Sequence, residues 1–224
     1  MQNAEELRLL EPYGVSNPVP SFILRGVRIL EIQPISFGKH TKILLSRDGM
    51  QPLTAMYFSH SPKECEVYTG DLVDIFATMD INEFGGQKTA QLIVRDIRLA
   101  ESTLSAYAAV QARYAEIRAG APIVESELPV REDFAAVYNF IRRRARFGEE
   151  EFAVREMLMR DDILEEIGYI KLRIILSVLM EMNLVGMEET GEEKYSFRVH
   201  YQQKHTDLEK SAILRKLRSG MHKG

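Results

Sequence analysis

Cysteine is nearly absent from the 224 residues: Cys65 stands alone, so no disulfide can form within the chain and no cysteine-rich zinc site can be built. That usage suits a reducing, cytoplasmic setting. No apolar run is long enough to span a bilayer, so no membrane partner is expected, and no charged-then-apolar leader opens the chain. The first ten residues, MQNAEELRLL, read instead as an amphipathic helix. Excess charge of one sign is also missing. The net charge is −4, with 10 basic against 12 acidic side chains in residues 1–100 and 19 against 21 in the remainder. A global attraction to nucleic acid is thereby excluded, and any such binding needs a local patch.

Catalytic signatures are equally scarce. His40, His60, His200, His205 and His222 have neither the i,i+4 helical spacing nor the nearby acids of a metal site. Acid pairs such as Asp161–Asp162 and Glu165–Glu166 lie in a charge-alternating helical context and read as a solvated face. GGQKT lacks the GK[ST] ending and the strand-to-helix setting of a phosphate loop. There is no internal repeat and no low-complexity tract.

What is present is alternation. FILRGVRILEIQPI, HTKILLS, PLTAMYF, DLVDIFATMDI and TAQLIVRDIRLA are five strand-like runs within residues 22–100. In the fourth, Val73, Ile75, Ala77, Met79 and Ile81 share one face, with Asp74, Thr78 and Asp80 on the other. Five strands with a longer excursion, roomy enough for a helix, between the third and fourth predict an OB-fold barrel. Such barrels bind on their middle strands and on the loops joining strands one to two and four to five. Here those loops are SFGKH and EFGGQK, each carrying Phe, Gly and Lys. Gly85 and Gly86 satisfy a tight turn, but nothing local explains Phe84. Taken singly, rim packing accounts for Phe37 and Phe84, and solubility for Lys39, Lys42 and Lys88. Their joint placement on the two loops favours a single-strand site, which needs aromatic platforms beside a cationic track. Tyr57 and Arg95 are weaker additions from strands whose facing the pattern leaves open.

After residue 100 the composition turns helical. ESTLSAYAAVQARYAEIRAG is followed by APIVESELPV, whose prolines mark a linker. Helices are expected over roughly 131–145, 150–160 and 169–183, then a hairpin pairing LVGMEE with KYSFRVHY around Thr190 and Gly191. Thr206 and Glu209 form a capping box for a final helix. The predicted fold class is therefore α+β in two domains: a five-stranded OB-fold barrel, a helical linker and a winged-helix-like domain. The boundaries expected are 1–20, 21–100 for the barrel, 101–121 for the linker helix, 122–202 for the winged-helix-like domain and 203–224 for a C-terminal helix and tail. A recognition helix should be polar and basic, yet YIKLRIILSVLMEMNLV offers only Lys171 and Arg173. The wing carries Glu188, Glu189, Glu192 and Glu193, which phosphates would repel. A protein-interaction role is favoured there over duplex reading. The run Arg142–Arg143–Arg144 with Arg146 is the counter-argument, and a solvated helix end explains it equally well.

Several of these stretches resemble the C-terminal part of the bacterial RecJ family of single-stranded-DNA-specific exonucleases. LEPYGVSNPVPSF (Leu10–Phe22) is similar to the family's LEPFGxGNPxPxF, with Ser16 where glycine is usual. GKHTKILL (Gly38–Leu45) resembles GKHLKLxL, and Asp80–Arg98 resembles INExxGxxxxQLxVxDIR; DLEKSAILRKLR resembles the end of longer members. The resemblance implies a 5′→3′ exonuclease of recombination and DNA repair, a hydrolase using Mn²⁺ or Mg²⁺ in a DHH nuclease core. No DHH triplet occurs in this sequence, so no catalytic ligand carries over, and the segment alone is expected to be inactive and cofactor-free. Residues 1–20 become a hinge remnant from that core. The family's OB domain helps hold the incoming strand, a role that carries over to Phe37, Lys39, His40, Lys42, Phe84, Gln87 and Lys88. In some members the last domain engages the single-strand-binding protein. The alternative is a module that docks the nuclease core and recruits partners without touching DNA.

Overall fold

The β-branched runs become β1 (Ser21–Ile35), β2 (His40–Ser46), β3 (Leu53–Tyr57), β4 (Leu72–Phe84) and β5 (Gln87–Leu99). The computed structural model describes residues 6–7, 10–49, 51–201 and 207–220 and divides the chain into two units, 1–106 and 107–224. Of the helix expected over the first ten residues, Glu6, Leu7 and Leu10 are described: the first two are helical and Leu10 lies in a turn. The five strands close into a barrel of order β1-β2-β3-β5-β4, the OB-like topology expected. Every pairing is antiparallel except that of β3 with β5.

β1 serves two neighbours, β4 through its first half and β2 through its second. Register shifts at Leu24–Val27 and Ile29–Glu31 bend it between them. Gly26 sits in the first, at φ +62°, and donates its N–H to Asp74 Oδ1 at 3.0 Å. A left-handed bulge residue of this kind favours glycine. Inside, Ile29, Ile43, Leu45, Val73, Ile75 and Leu92 are almost fully buried, each contributing about 1.5–3 kcal/mol by leaving water.

Two details differ from the sequence reading. The excursion between β3 and β4 forms turns rather than a helix. Ser61 donates to Glu64 Oε2 through both its N–H (2.7 Å) and its Oγ (2.8 Å), which holds the Glu64 carboxyl below its ordinary range. This turn sends Cys65 and Val67 into the core, where burial pushes the Cys65 thiol up. In β4, Thr78 is buried rather than solvent-facing. Phe76 pairs with Asp96 but Ala77 with Val94, so β5 carries one extra residue, Arg95. Such a bulge breaks the two-residue period, and Ala77 and Thr78 both turn inward.

Helix α1 (Glu101–Ala119) follows, and its Tyr114 and Ile117 belong to the core of the second unit. Arg113 makes paired bonds to Glu127 (2.7 and 2.8 Å) and a third to the Pro122 carbonyl (2.8 Å). With Ile123 buried, the proline-flanked segment is docked on α1 rather than loose. Then come α2 (Arg131–Arg146), β6 (Glu151–Ala153), α3 (Val154–Arg160), α4 (Asp162–Glu181), β7 (Val185–Gly191) and β8 (Lys194–Val199). β6 was not expected; it makes the hairpin a three-stranded sheet of order β6-β8-β7. α4 starts earlier than 169, where Asp161 accepts from the Ile163 N–H, and it breaks at Gly168 (φ +75°, ψ 168°). The β7–β8 turn lies two residues later than expected, on Glu192 and Glu193. The final helix, α5 (Ala212–Ser219), is capped by Ser211, whose Oγ accepts from the Leu214 N–H at 3.1 Å. Thr206 lies outside the described residues. Glu181 anchors this cap by accepting from Ser211 Oγ and from the Ala212 N–H (2.8 Å).

Candidate nucleic-acid interface

Strand alternation sends Thr41, Ala55 and Tyr57 inward and leaves Lys42, Thr54 and Met56 on the outer face of the barrel. Phe58 continues that outer row beyond β3. Asn82 from β4 and Thr89 and Gln91 from β5 complete a groove of about 440 Å³ over them. Gln91 Nε2 donates to Asp80 Oδ2 at 3.1 Å, fixing one amide of the floor. The lining offers one cation, an aromatic, a thioether and several hydroxyl and amide groups. That set can stack a base, hydrogen-bond its edge and meet a phosphate.

The register fixes where the two loops stand. Thr41 pairs with Tyr57 at one end of β3, and Gln91 pairs with Thr54 at the other. The β1–β2 turn and the β4–β5 hairpin therefore bracket the groove from opposite ends. In the turn, Ser36 (φ +51°), Phe37 (+59°) and Gly38 (+81°) are left-handed in succession. Phe37 is 108% exposed, so rim packing does not account for it. Lys39 beside it is also exposed. At the other end Gly85 and Gly86, both at positive φ, form the expected two-residue turn. Phe84 and Gln87 are register partners flanking it, and their side chains lie outside the described residues. Lys88 is exposed and stands opposite Glu83 across the hairpin.

His40 is placed differently from the lysines. Its Nδ1 accepts from the Ser59 N–H at 2.8 Å, and its ring meets that of Phe58 edge-on at 5.4 Å. Tyr57, a weaker candidate from sequence, is buried in the core and stacks on His60 at 3.9 Å. Burial, with Asp96 second, raises its phenol above the usual range. Arg95 is exposed at the bulge of β5. Sequence reasoning missed Thr54, Met56, Phe58, Asn82, Thr89 and Gln91. Phe58 follows the buried Tyr57 as the next outward position, but the pattern of β3 left that facing open.

In the second unit the two cations of the candidate recognition helix are engaged internally. Lys171 pairs with Asp133 at 3.1 Å, and Arg173 with Glu193 at 2.8 Å. Arg173 also lies over the rings of Tyr114, Tyr169 and Tyr195. The arginine run is a solvated end only in part: Arg143 and Arg146 are exposed, whereas Arg144 is not. Arg144 is buried against Glu149 and Glu156, Arg143 pairs with Asp161 at 3.1 Å, and Arg142 lies over Tyr138 and Tyr201. Glu193, expected to be a solvated wing acid, instead accepts from Tyr107 (2.5 Å), Tyr169 and Arg173. Burial and this carboxylate hold the Tyr107 and Tyr169 phenols well above their ordinary range. Separately, a groove of about 830 Å³ has an apolar floor including Phe134, Leu179 and Leu214, with Arg131, Arg142 and Arg218 along it. Among the described residues no cluster of His, Cys, Asp or Glu is suited to a metal, and no helix is long and apolar enough to cross a membrane.

The barrel's family follows from comparison with known proteins: residues 1–96 match the family model described as the RecJ OB domain. Residues 1–96 carry a RecJ OB domain. A curated relative is the single-stranded-DNA-specific exonuclease RecJ of Bacillus subtilis (strain 168), 24% identical over 102 residues. That match takes in 45% of this chain and 13% of the relative, so the chain spans a small part of the RecJ protein it resembles. Among solved structures, RecJ in complex with Mg²⁺ from Thermus thermophilus is 26% identical with a TM-score of 0.36, over 45% of this chain and 15% of that one. A mitochondrial single-stranded DNA binding protein from S. cerevisiae is 23% identical with a TM-score of 0.29, over 36% of this chain and 94% of that one. Ser16, the departure from the RecJ hinge motif, sits at the tip of a small turn closed by Gly14 and Asn17, with no left-handed backbone.

Proposed function

We propose that the chain is the DNA-holding accessory segment of a RecJ-type 5′→3′ single-stranded-DNA exonuclease of recombination and repair, acting in the cytoplasm. The strand lies along the outer groove and is held at its ends by the two bracketing loops. The carrying observation is the exposed Phe37 beside Lys39, at one end of a groove that already contains Lys42. Phe37, Lys39, Lys42, Phe84, Gln87 and Lys88 are the direct contacts in this reading, and His40 belongs to the same site. Hydrolysis belongs to a DHH core with Mn²⁺ or Mg²⁺, which this sequence does not encode. Titration of a labelled single strand at several salt concentrations tests the reading. Tight binding that weakens steeply with salt supports it; no binding at low salt leaves the barrel as a docking module for the nuclease core.

For the second unit a protein-interaction role fits better. The order α2-β6-α3-α4-β7-β8, with β8 central in its sheet, supports the winged-helix-like reading of residues 122–202. A duplex-reading helix would need free cations, and Lys171 and Arg173 are paired. The apolar groove with its arginines suits an acidic, apolar peptide, and single-strand-binding protein is the partner we assign to it. Tight, salt-sensitive duplex binding lost on changing Arg131 and Arg146 would reverse this assignment.

A further inference from the structure

One peptide unit at the edge of the barrel groove is gripped on both sides by histidine. The Ser59 N–H donates to His40 Nδ1 at 2.8 Å, and the Phe58 carbonyl accepts from His60 Nδ1 at 2.9 Å. A carbonyl can only accept and a backbone N–H can only donate. His40 must therefore present a bare Nδ1, and His60 a protonated one. The clamp is tied to the core: the His60 ring stacks on buried Tyr57 at 3.9 Å, and its carbonyl accepts from buried Thr41 Oγ1 at 2.8 Å. The clamped backbone is held in a conformation that side-chain-bearing residues seldom adopt, Ser59 at φ +59°.

The side chain delivered by this clamp is Phe58. Its ring is 46% exposed, lines the groove, and has the His40 ring edge-on against it at 5.4 Å. A phenylalanine serving the core would be buried, and one serving nothing would need no clamp. We propose that Phe58 is a base-stacking platform of the groove, and that His40 is a positioning residue acting through Phe58 rather than a phosphate contact. This inference rests on the single-strand reading of the barrel.

The test is a set of binding isotherms for the whole chain with a fluorescein-labelled oligothymidylate, at several salt concentrations. Phe58→Ala should bind about 5- to 150-fold more weakly, the range supplied by one base–aromatic stack, with an unchanged salt slope. His40→Ala should lose affinity in the same way, and His40→Ala with Phe58→Ala should be no weaker than Phe58→Ala alone, because both remove one contact. His40→Asn, whose amide oxygen can accept from Ser59, should restore affinity, whereas His40→Gln should not. This last pair carries the test if His40→Ala melts early. Losses that add, with a salt slope lower by roughly 0.7 for His40→Ala, would make His40 a phosphate contact and overturn its positioning role. Unchanged binding by Phe58→Ala, with a wild-type chain that binds, would overturn the platform and leave the barrel reading standing. A wild-type chain that binds no single strand removes both.

Discussion

Phe37→Ala separates binding from folding more cleanly than any other change in the barrel. The ring is fully solvent-exposed at 108%, so truncating it returns no buried apolar area to water. It also leaves a left-handed residue with a Cβ in place, so the backbone strain of the turn is unaltered. Stability should therefore stay within about 0.5 kcal/mol, as for ordinary surface changes. Binding should not: if a base stacks on Phe37, affinity for single strands should fall by roughly 1–3 kcal/mol with little dependence on base identity. Phe37→Gly sharpens the contrast, since glycine adopts φ +59° without steric cost. It should fold at least as well as the wild-type chain while binding as weakly as the alanine variant. Thermal melts and fluorescence-anisotropy titrations on the same preparations read both quantities. Full affinity in either variant would refute a stacking role for the turn, and a large loss of melting temperature would show that the ring packs somewhere after all.

Charge can be tested apart from stacking. Lys39→Ala with Lys88→Ala should lower the salt dependence of binding by roughly 1.4 log units per log unit of salt, from about 0.7 per phosphate contact on a single strand; an unchanged slope would exclude both lysines. In the second unit, Glu193→Ala leaves Arg173, whose side chain is 16% exposed, without its carboxylate, and urea unfolding should show a loss of about 3–5 kcal/mol. The raised Tyr107 and Tyr169 phenols favour their protonated forms in the folded state. Their contribution is thus complete below the unfolded phenol range and declines as pH rises past about 10. Urea melts of Tyr107→Phe with Tyr169→Phe should show a shallower alkaline decline than wild type, and parallel curves would contradict the linkage. Finally, the purified chain with labelled single strand and Mn²⁺ should release no nucleotides; shortening activity that co-elutes with the chain through successive columns would disprove this.

Much of the barrel was legible because its strands keep one face buried, so alternation, glycine turns and β-branched runs all point the same way. Gly85 and Gly86 announced their hairpin, and the buried set Val73, Ile75 and Ala77 followed from period two. Thr78 was misplaced because the bulge arises from the partner strand, at Arg95, which the pattern of β4 does not contain. The arginine run misled for a similar reason. Whether Arg144 is solvated depends on Glu149 and Glu156 folding back over it, which local propensity does not encode. β6 was hidden in an acidic stretch with three residues to show for a strand. In the groove, exposed threonines, amides and a methionine have no sequence signature separating a lining residue from an ordinary surface one. The loop aromatics stood out because turns rarely hold them.

The parallel seam between β3 and β5 also governs how safely this chain can be made. Three register pairs, Thr54–Gln91, Ala55–Leu92 and Met56–Ile93, join β3 to β5, and the β1–β4 ladder makes the other long-range join. Before these joins form, the chain holds a three-stranded meander and a separate hairpin, each with open hydrogen-bonding edges. Both joins bring together residues far apart in sequence and so form late and slowly. During that interval, pairing between molecules competes with barrel closure. Refolding yield should therefore fall with protein concentration even though the finished barrel has no edge to offer, and charged substitutions at outward positions of β3 should recover it. A yield independent of concentration would place the vulnerable step elsewhere.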